Sequence, residues 1–296
     1  KLFLLLLLFP FLLGCSQKEK EFTVLQWNIW QEGTVIPGGY DAIVNEIARL
    51  RPDFVTLSEV RNYENTNFTA RLVQSLKEKG ETIIFYTYDT GLLSRYPSLI
   101  INRFSRKNDH GSIYRLTADM NGQKIAVYTA HLDYLDDAYY NVRGYDGSTW
   151  ERNPYPHYVE RSIKENVASQ RDDAIRLFIE QQKKKDREAG YTIILGEIFN
   201  EPSHQDWTEE TKDLYDHHGF VIPWTVPVLL DEAGLKDAYR EFYPDVLNYP
   251  ASLILDNPAK PADKITWAPK ADERDRIDYI WYYPEKGLKV KDDRPF

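Results

Sequence analysis

"YTIILGEIFNEPSHQDW", Tyr191–Trp207, joins an apolar strand to a polar cluster. Tyr191–Leu195 is β-branched and apolar, which suits a strand buried in a sheet. Asn200, Glu201, Ser203, His204 and Asp206 then crowd into the residues after the strand end. A strand that turns polar this abruptly delivers side chains to a site. Side chains alternate along a strand, so the residue two before Asn200 shares its face. That residue is Ile198 rather than an acid. Its neighbour Glu197 is directed to the opposite face unless a bulge re-aims it.

Outward from this stretch the chain alternates strand-like and helix-like segments. Phe22–Trp27 reads as a strand, Asp41–Leu50 as an amphipathic helix with Ile43, Ile47 and Leu50 inward, and Phe54–Leu57 as a second strand. Thr69–Lys79 reads as a helix that stops at Gly80. Strands are expected at Thr82–Tyr86, Gly91–Leu93, Ser112–Ala118, Lys124–Ala130 and Ile277–Tyr282, and helices at Asn166–Lys185 and Thr208–His217. The segment Asp136–Tyr158, with Gly144, Gly147, Pro154 and Pro156, is too long for a plain connection and is expected to shape a substrate pocket. No internal repeat is visible. The pattern describes one α/β domain, which 296 residues with 42% hydrophobic content can supply with a sizeable core.

At the other end, "KLFLLLLLFPFLLGCSQKEKEF" has a basic first residue, an apolar run Leu2–Leu13, a small residue and then Cys15, the only cysteine. The run is short for a bilayer span and reads as a signal-peptide core. Leu12-Leu13-Gly14-Cys15 looks like the lipobox of a bacterial lipoprotein. Residues 1–14 are then a signal peptide, Cys15 the site of lipid attachment, and 15–21 a tether holding the domain at the bacterial cell envelope. The alternative is a buried apolar strand with an incidental cysteine. One cysteine gives no disulfide framework. Net charge is −9 with pI ≈ 5.3, so the general attraction that drives non-specific nucleic-acid binding is lacking.

Polar residues recur at strand ends. "LQWNIW" places Asn28 after the first strand, "VTLSEV" places Glu59 after the second, and "VYTAHLDY" places His131 and Asp133 after another. "ERDRIDYIW" sets Asp275 and Asp278 before the last. Singly, each has a structural reading: Asn28 as a turn former, Glu59 as a neighbour of a helix cap, His131 as a satisfied core histidine. Together they suit metal-assisted phosphoester hydrolysis. A carboxylate and an amide oxygen on adjacent strand ends can hold a hard cation such as Mg²⁺ against a phosphate. A histidine serves the non-bridging oxygens, and another Asp orients or deprotonates water. Glu59, Asn28, His131 and Asp278 fit these four roles.

In their order, "QWNIW", "LSEV", "LLSRYP", "TAHLDY", "FNEPSHQDW" and "RIDYI" resemble the endonuclease/exonuclease/phosphatase superfamily, which includes DNase I, exonuclease III, neutral sphingomyelinases and inositol phosphatases. The likeness runs from about Phe22 onward and is nearer the exported lipoprotein-type members than the DNA-repair enzymes. It implies a DNase I-like four-layer α/β sandwich of two mostly antiparallel sheets with helices outside. Residue by residue it implies metal binding at Asn28 and Glu59, phosphate contact at His131, water orientation at Asn200 and support of metal or histidine at Asp278. Mg²⁺ is the expected ion, with Mn²⁺ as the alternative, and Asp133 and Arg143 are placed as substrate contacts.

Two departures qualify the likeness. The family's Gly-Asp-Phe-Asn aligns without a gap so that Ile198 stands at the water-activating Asp. The family's Asp-His pair before the last strand has no equivalent before "KVKDDRPF": either it lies beyond Phe296, the domain being truncated there, or Asp292-Asp293-Arg294-Pro295 replaces it. His204, His217 and His218 are not placed to substitute, and the paired histidines are expected at the surface near a helix end. The expected function is metal-dependent phosphodiester or phosphomonoester hydrolysis outside the cytoplasm. The alternative is a weakly active protein that binds metal and phosphate. In the long loop Asp136, Asp137, Asp146 and Glu151 outnumber Arg143 and Arg152, so a small or lipid-like phosphoester is favoured over nucleic acid, with the chain acting as a monomer.

Overall fold

Two parallel strands, β1 (Val24–Asn28) and β2 (Phe54–Ser58), are joined through α1 (Gly39–Leu50), and their register pairs Asn28 with Ser58. Both strands therefore finish at the same edge. The computed structural model describes residues 21–87, 90–104, 111, 113–135, 138–147, 149–153, 158–250 and 275–292. The expected signal segment, Cys15 and residues 293–296 of the C-terminal motif lie outside these residues.

α1 forms because Ile43, Val44 and Ile47 fall on one stripe that buries against β1 and β2, and it ends at Arg51 in the left-handed conformation. α2 (Phe68–Glu78) starts at Asn67, whose side chain accepts the Ala70 N–H at 2.9 Å, and packs Phe68, Leu72 and Leu76 beside α1. β3 (Ile84–Thr87) and β4 (Thr90–Ser94) complete a four-stranded sheet in the order β1-β2-β4-β3. A six-stranded sheet is built from β5 (Ser98–Phe104), β6 (Ile113–Met120), β7 (Gln123–Ala130), β8 (Thr192–Ile198), β9 (Lys236–Asp237) and β10 (Asp278–Tyr282), in the order β5-β6-β7-β8-β10-β9. Only β7 and β8 pair in parallel there.

Alternation divides β2 and β8 each between two cores. Val55 and Leu57 of β2 face the helices, whereas Phe54 and Leu92 face Tyr114, Leu116, Val127, Ile194 and Tyr282 across the gap between the sheets. On the far side, Ile193 and Leu195 pack under Ala174, Ile175 and Phe178 and under Val226 and Leu230 of α7 (Thr225–Glu232). The result is the DNase I-like sandwich of helices, sheet, sheet and helices. Gly196 lets the two sheets approach closely: a Cβ there would lie 2.5 Å from Thr56 Oγ1.

Several elements differ from expectation. The strand β5 is additional. The helix expected over Asn166–Lys185 is a succession: α4 (Val159–Asn166), a reversal at Gln170 (φ 63°), α5 (Arg171–Leu177), a wider π turn over Phe178–Lys183 and α6 (Lys184–Glu188). No helix forms over Thr208–His217. That segment is a chain of single turns (Thr211 N to Thr208 O, Leu214 N to Thr211 O, His217 N to Leu214 O), and positive φ at Tyr215 and Asp216 bars a helix through its last turn. The segment expected as a long loop contains α3 (Ala138–Val142) and a bridge between Tyr145 and Arg152.

Candidate active site

At the shared edge of β1 and β2, Asn28 Nδ2 donates to Glu59 Oε1 at 3.1 Å. The backbone holds both groups from behind: Trp30 N donates to Asn28 Oδ1 and Gln31 N to Glu59 Oε2, each at 2.9 Å. Trp30, Gln31, Glu32 and Glu59 all have positive φ, a conformation costing non-glycine residues roughly 1 kcal/mol or more apiece, which clusters where geometry serves a site.

The second sheet contributes from its own strand ends. His131 follows β7 and bridges to Ile198, and Leu132 N donates to Ile198 O at 3.0 Å. Asn200, at φ 52°, donates through Nδ2 to Leu132 O at 2.8 Å. Asp278 opens β10 directly opposite Ile198. Asn28, Glu59, His131 and Asp278 each keep part of their surface exposed, so the cluster opens to solvent.

Gln26 joins the two sheets. It lies two residues before Asn28, on the same face of β1, and its Nε2 donates to Asp278 Oδ1 at 3.1 Å while its Oε1 accepts from Thr56 Oγ1 at 2.5 Å. Burial pushes the Asp278 carboxyl up to about 6; the Gln26 hydrogen bond and His131 oppose the rise and Glu59 adds to it. Gly196→Ala is expected to break this chain, because its methyl would displace Thr56 Oγ1. Denaturant unfolding should show a loss of about 1–3 kcal/mol, the range for overpacking; an unchanged midpoint would mean the sheets part freely at this point.

The donor set suits Mg²⁺, which is commonly held by one or two carboxylates with water and substrate phosphate completing its shell. Glu59 and Asn28 offer one carboxylate and one amide oxygen. Among the described residues no group of three or more His, Cys, Asp and Glu side chains could hold an ion unaided.

Ile198 is 2% exposed and stands where the water-activating Asp was expected. The β8–β10 register runs without a bulge, so Glu197 is not re-aimed. It points with Ile193 and Leu195 into the core beneath the helices, fully buried, and neither carboxylate oxygen has a hydrogen-bond partner. Burial drives its pKa well above the usual carboxylate range.

Two substrate assignments are corrected. Arg143 is 1% exposed and lies 3.3 Å from the buried Asp275 carboxylate, which also accepts from Trp207 Nε1. It closes a core and offers no surface to a ligand. Asp133 is buried and accepts the Leu135 N–H at 3.0 Å, shaping the turn after His131. The expected surface position of the paired histidines holds for His218 alone: His217 is buried and stacks on Trp207 with ring centroids 3.8 Å apart.

Groups beyond those expected brace the site. Arg171 Nη1 donates to Asp133 O and Leu135 O at 2.8 and 3.1 Å, and its Nη2 to Asn166 Oδ1 at 2.8 Å. Asn166 Nδ2 and Val226 N both donate to the Glu201 carboxylate. One buried network thus ties the loop after His131 to the loop after Asn200. On the other flank, Arg276 donates to Asp206 and Asp237, fixing the approach to Asp278.

Two packed sheets between helices, with an acid–amide pair facing a histidine and an aspartate at their open ends, define a hydrolase of the phosphoesterase type. Residues 25–292 match the Endonuclease/Exonuclease/phosphatase family, and the chain belongs to it. An uncharacterized protein of Caenorhabditis elegans is 27% identical over 279 residues, covering 91% of this chain and 82% of its own length. Among solved structures, an endonuclease/exonuclease/phosphatase from Beutenbergia cavernae superposes with a TM-score of 0.51 at 18% identity, over 89% of this chain and 64% of that one. D. rerio TDP2 complexed with a single-strand DNA product superposes with a TM-score of 0.50 at 17% identity, over 93% and 86%.

Proposed function

We propose that this protein is a Mg²⁺-dependent phosphoester hydrolase, with Mn²⁺ as an alternative ion, working on a small or lipid-like phosphodiester or phosphomonoester outside the cytoplasm. The observation that carries this reading is the Asn28–Glu59 pair, tied at 3.1 Å and open to solvent opposite His131 and Asp278. Glu59 and Asn28 are the residues that would hold the cation, which when bound polarises a phosphoryl oxygen and offsets the charge that develops on it. His131 donates to a non-bridging oxygen, with Asp278 as its support. Asn200 orients the attacking water, its amide already fixed by Leu132 O.

The substrate class rests on two observations. Acids outnumber bases in the segment Asp136–Tyr158, which opposes a polyanion, and Tyr134 and Leu135, 59% and 46% exposed, stand immediately after His131–Asp133 as an apolar rim. Hydrolysis of an aryl phosphodiester and an aryl phosphomonoester, with Mg²⁺ present and then chelated, tests the function. Release of product from either only with the ion supports it, and no release from either contradicts it.

Ile198 favours a second reading, in which the chain binds metal and phosphorylated ligands with little turnover. For location, Cys15 would be acylated after cleavage and residues 16–21 would form the tether, making a membrane-anchored envelope lipoprotein. Several acyl chains anchor stably where one alone binds reversibly. Cys15→Ser should then move the protein to the soluble fraction or leave an unprocessed precursor. Detergent-requiring association of a mature Cys15→Ser chain would contradict the anchor.

A further inference from the structure

The loops after β1 and β2 are locked to each other by contacts that the chemistry does not itself require. Glu32 is buried, and its Oε1 accepts the Asn62 N–H at 2.6 Å. Tyr63 OH donates to Gln31 Oε1 at 2.9 Å, and Gln31 in turn gives its own N–H to Glu59 Oε2. Asn62 Oδ1 accepts from Phe68 N, so the same lock is tied into α2. Behind it, Gly33 and Gly39 pack backbone to backbone so closely that a Cβ on Gly39 would lie 2.1 Å from Gly33 O. Five residues along these contacts, Trp30, Gln31, Glu32, Glu59 and Asn62, hold positive φ without being glycine.

An amide at the end of β1 and a carboxylate just past β2 would lose affinity for a cation if each binding event had to order the chain that carries them beyond the strands. Partners that hold ligands from outside the coordination shell remove that cost, and their loss typically weakens metal binding about 10–100-fold. We propose that Glu32, Gln31 and Tyr63 are positioning residues that preset the Asn28–Glu59 pair for a divalent cation. The proposal rests on the metal-site reading above and adds that the site is assembled before the ion arrives. Glu32 acts as a hydrogen-bond acceptor toward Asn62, so its charge is not what matters. Tyr63 acts through Gln31, whose N–H is thereby aimed at Glu59.

Mn²⁺ binding to the intact protein, followed by the electron-paramagnetic signal of the free ion, tests this without any turnover. Glu32→Ala should weaken the ion on the order of 10-fold or more, and Glu32→Gln, which keeps the acceptor, should restore affinity to near the wild-type value. Tyr63→Phe removes one exposed hydroxyl from a half-exposed ring, so it should fold normally, and it should weaken the ion about 2- to 10-fold, the worth of one hydrogen bond. Should Glu32→Ala fail to fold, Tyr63→Phe decides alone. Wild-type affinity in Tyr63→Phe, or Glu32→Gln as weak as a folded Glu32→Ala, would overturn the clamp while leaving the metal site standing. A wild-type chain that binds no Mn²⁺ would remove the metal-site reading and the clamp with it.

Discussion

Ile198→Asp is expected to raise the Mg²⁺-dependent rate of phosphodiester hydrolysis by about 10²- to 10⁴-fold, the range over which a placed general base contributes. The position is right for it. Ile198 opposes Asp278 across the β8–β10 pair and bridges to His131, so a carboxylate introduced there enters the cluster without backbone change. The same substitution should lower stability, because a nearly buried acid would sit beside Asp278, whose own pKa already stands near 6, and Glu59 lies close enough to add to the repulsion. Mg²⁺ should recover part of that loss. Activity equal to the wild type, with the fold intact, would show that position 198 takes no part in the chemistry.

Glu197→Leu should stabilise the protein. The wild-type carboxyl lies in an apolar core with neither oxygen hydrogen-bonded, and a buried polar group left unsatisfied costs about 1–3 kcal/mol. Leu would fill similar space without that penalty, raising the melting temperature by roughly 2–12 °C for a domain of this size. The pH dependence gives the mechanism away. Folded Glu197 holds its proton above the unfolded value, so the folded state binds more protons once pH passes about 4.3. Wild-type stability therefore falls as pH rises from there toward the folded pKa, with a slope of at most about 1.4 kcal/mol per pH unit. Glu197→Leu lacks this slope, and its advantage should widen from acid toward neutral pH. A constant or shrinking gap would mean that the carboxyl finds water or a partner in solution.

Most of the framework was legible in the sequence because it rests on local patterns. The apolar stripe of α1, the runs of β2 and β8 and the polar residues closing β1, β2 and β7 are each set within a few residues. What escaped depends on partners far along the chain. Gln26 looks like an ordinary outward residue in a strand until Asp278, 252 positions later, is placed against it. Arg171 and Arg276 resemble solvated charges, yet both are buried by acids or carbonyls from distant loops. Arg143 was misassigned for the same reason: it lies in the segment expected to shape a substrate pocket, and Asp275 draws it inward instead. The turns over Thr208–His217 carry helical composition, but Trp207, His217 and Trp224 form a small aromatic core there that a straight helix would break.

Glu59→Ala, measured both for Mn²⁺ binding and for Mg²⁺-dependent hydrolysis of an aryl phosphodiester, tests the central claim most directly. Glu59 supplies the carboxylate that pairs with Asn28 at the open strand ends. The account predicts that ion binding and metal-dependent turnover are lost together while the fold is retained. Wild-type ion affinity or wild-type turnover in Glu59→Ala would place the metal chemistry elsewhere and contradict it.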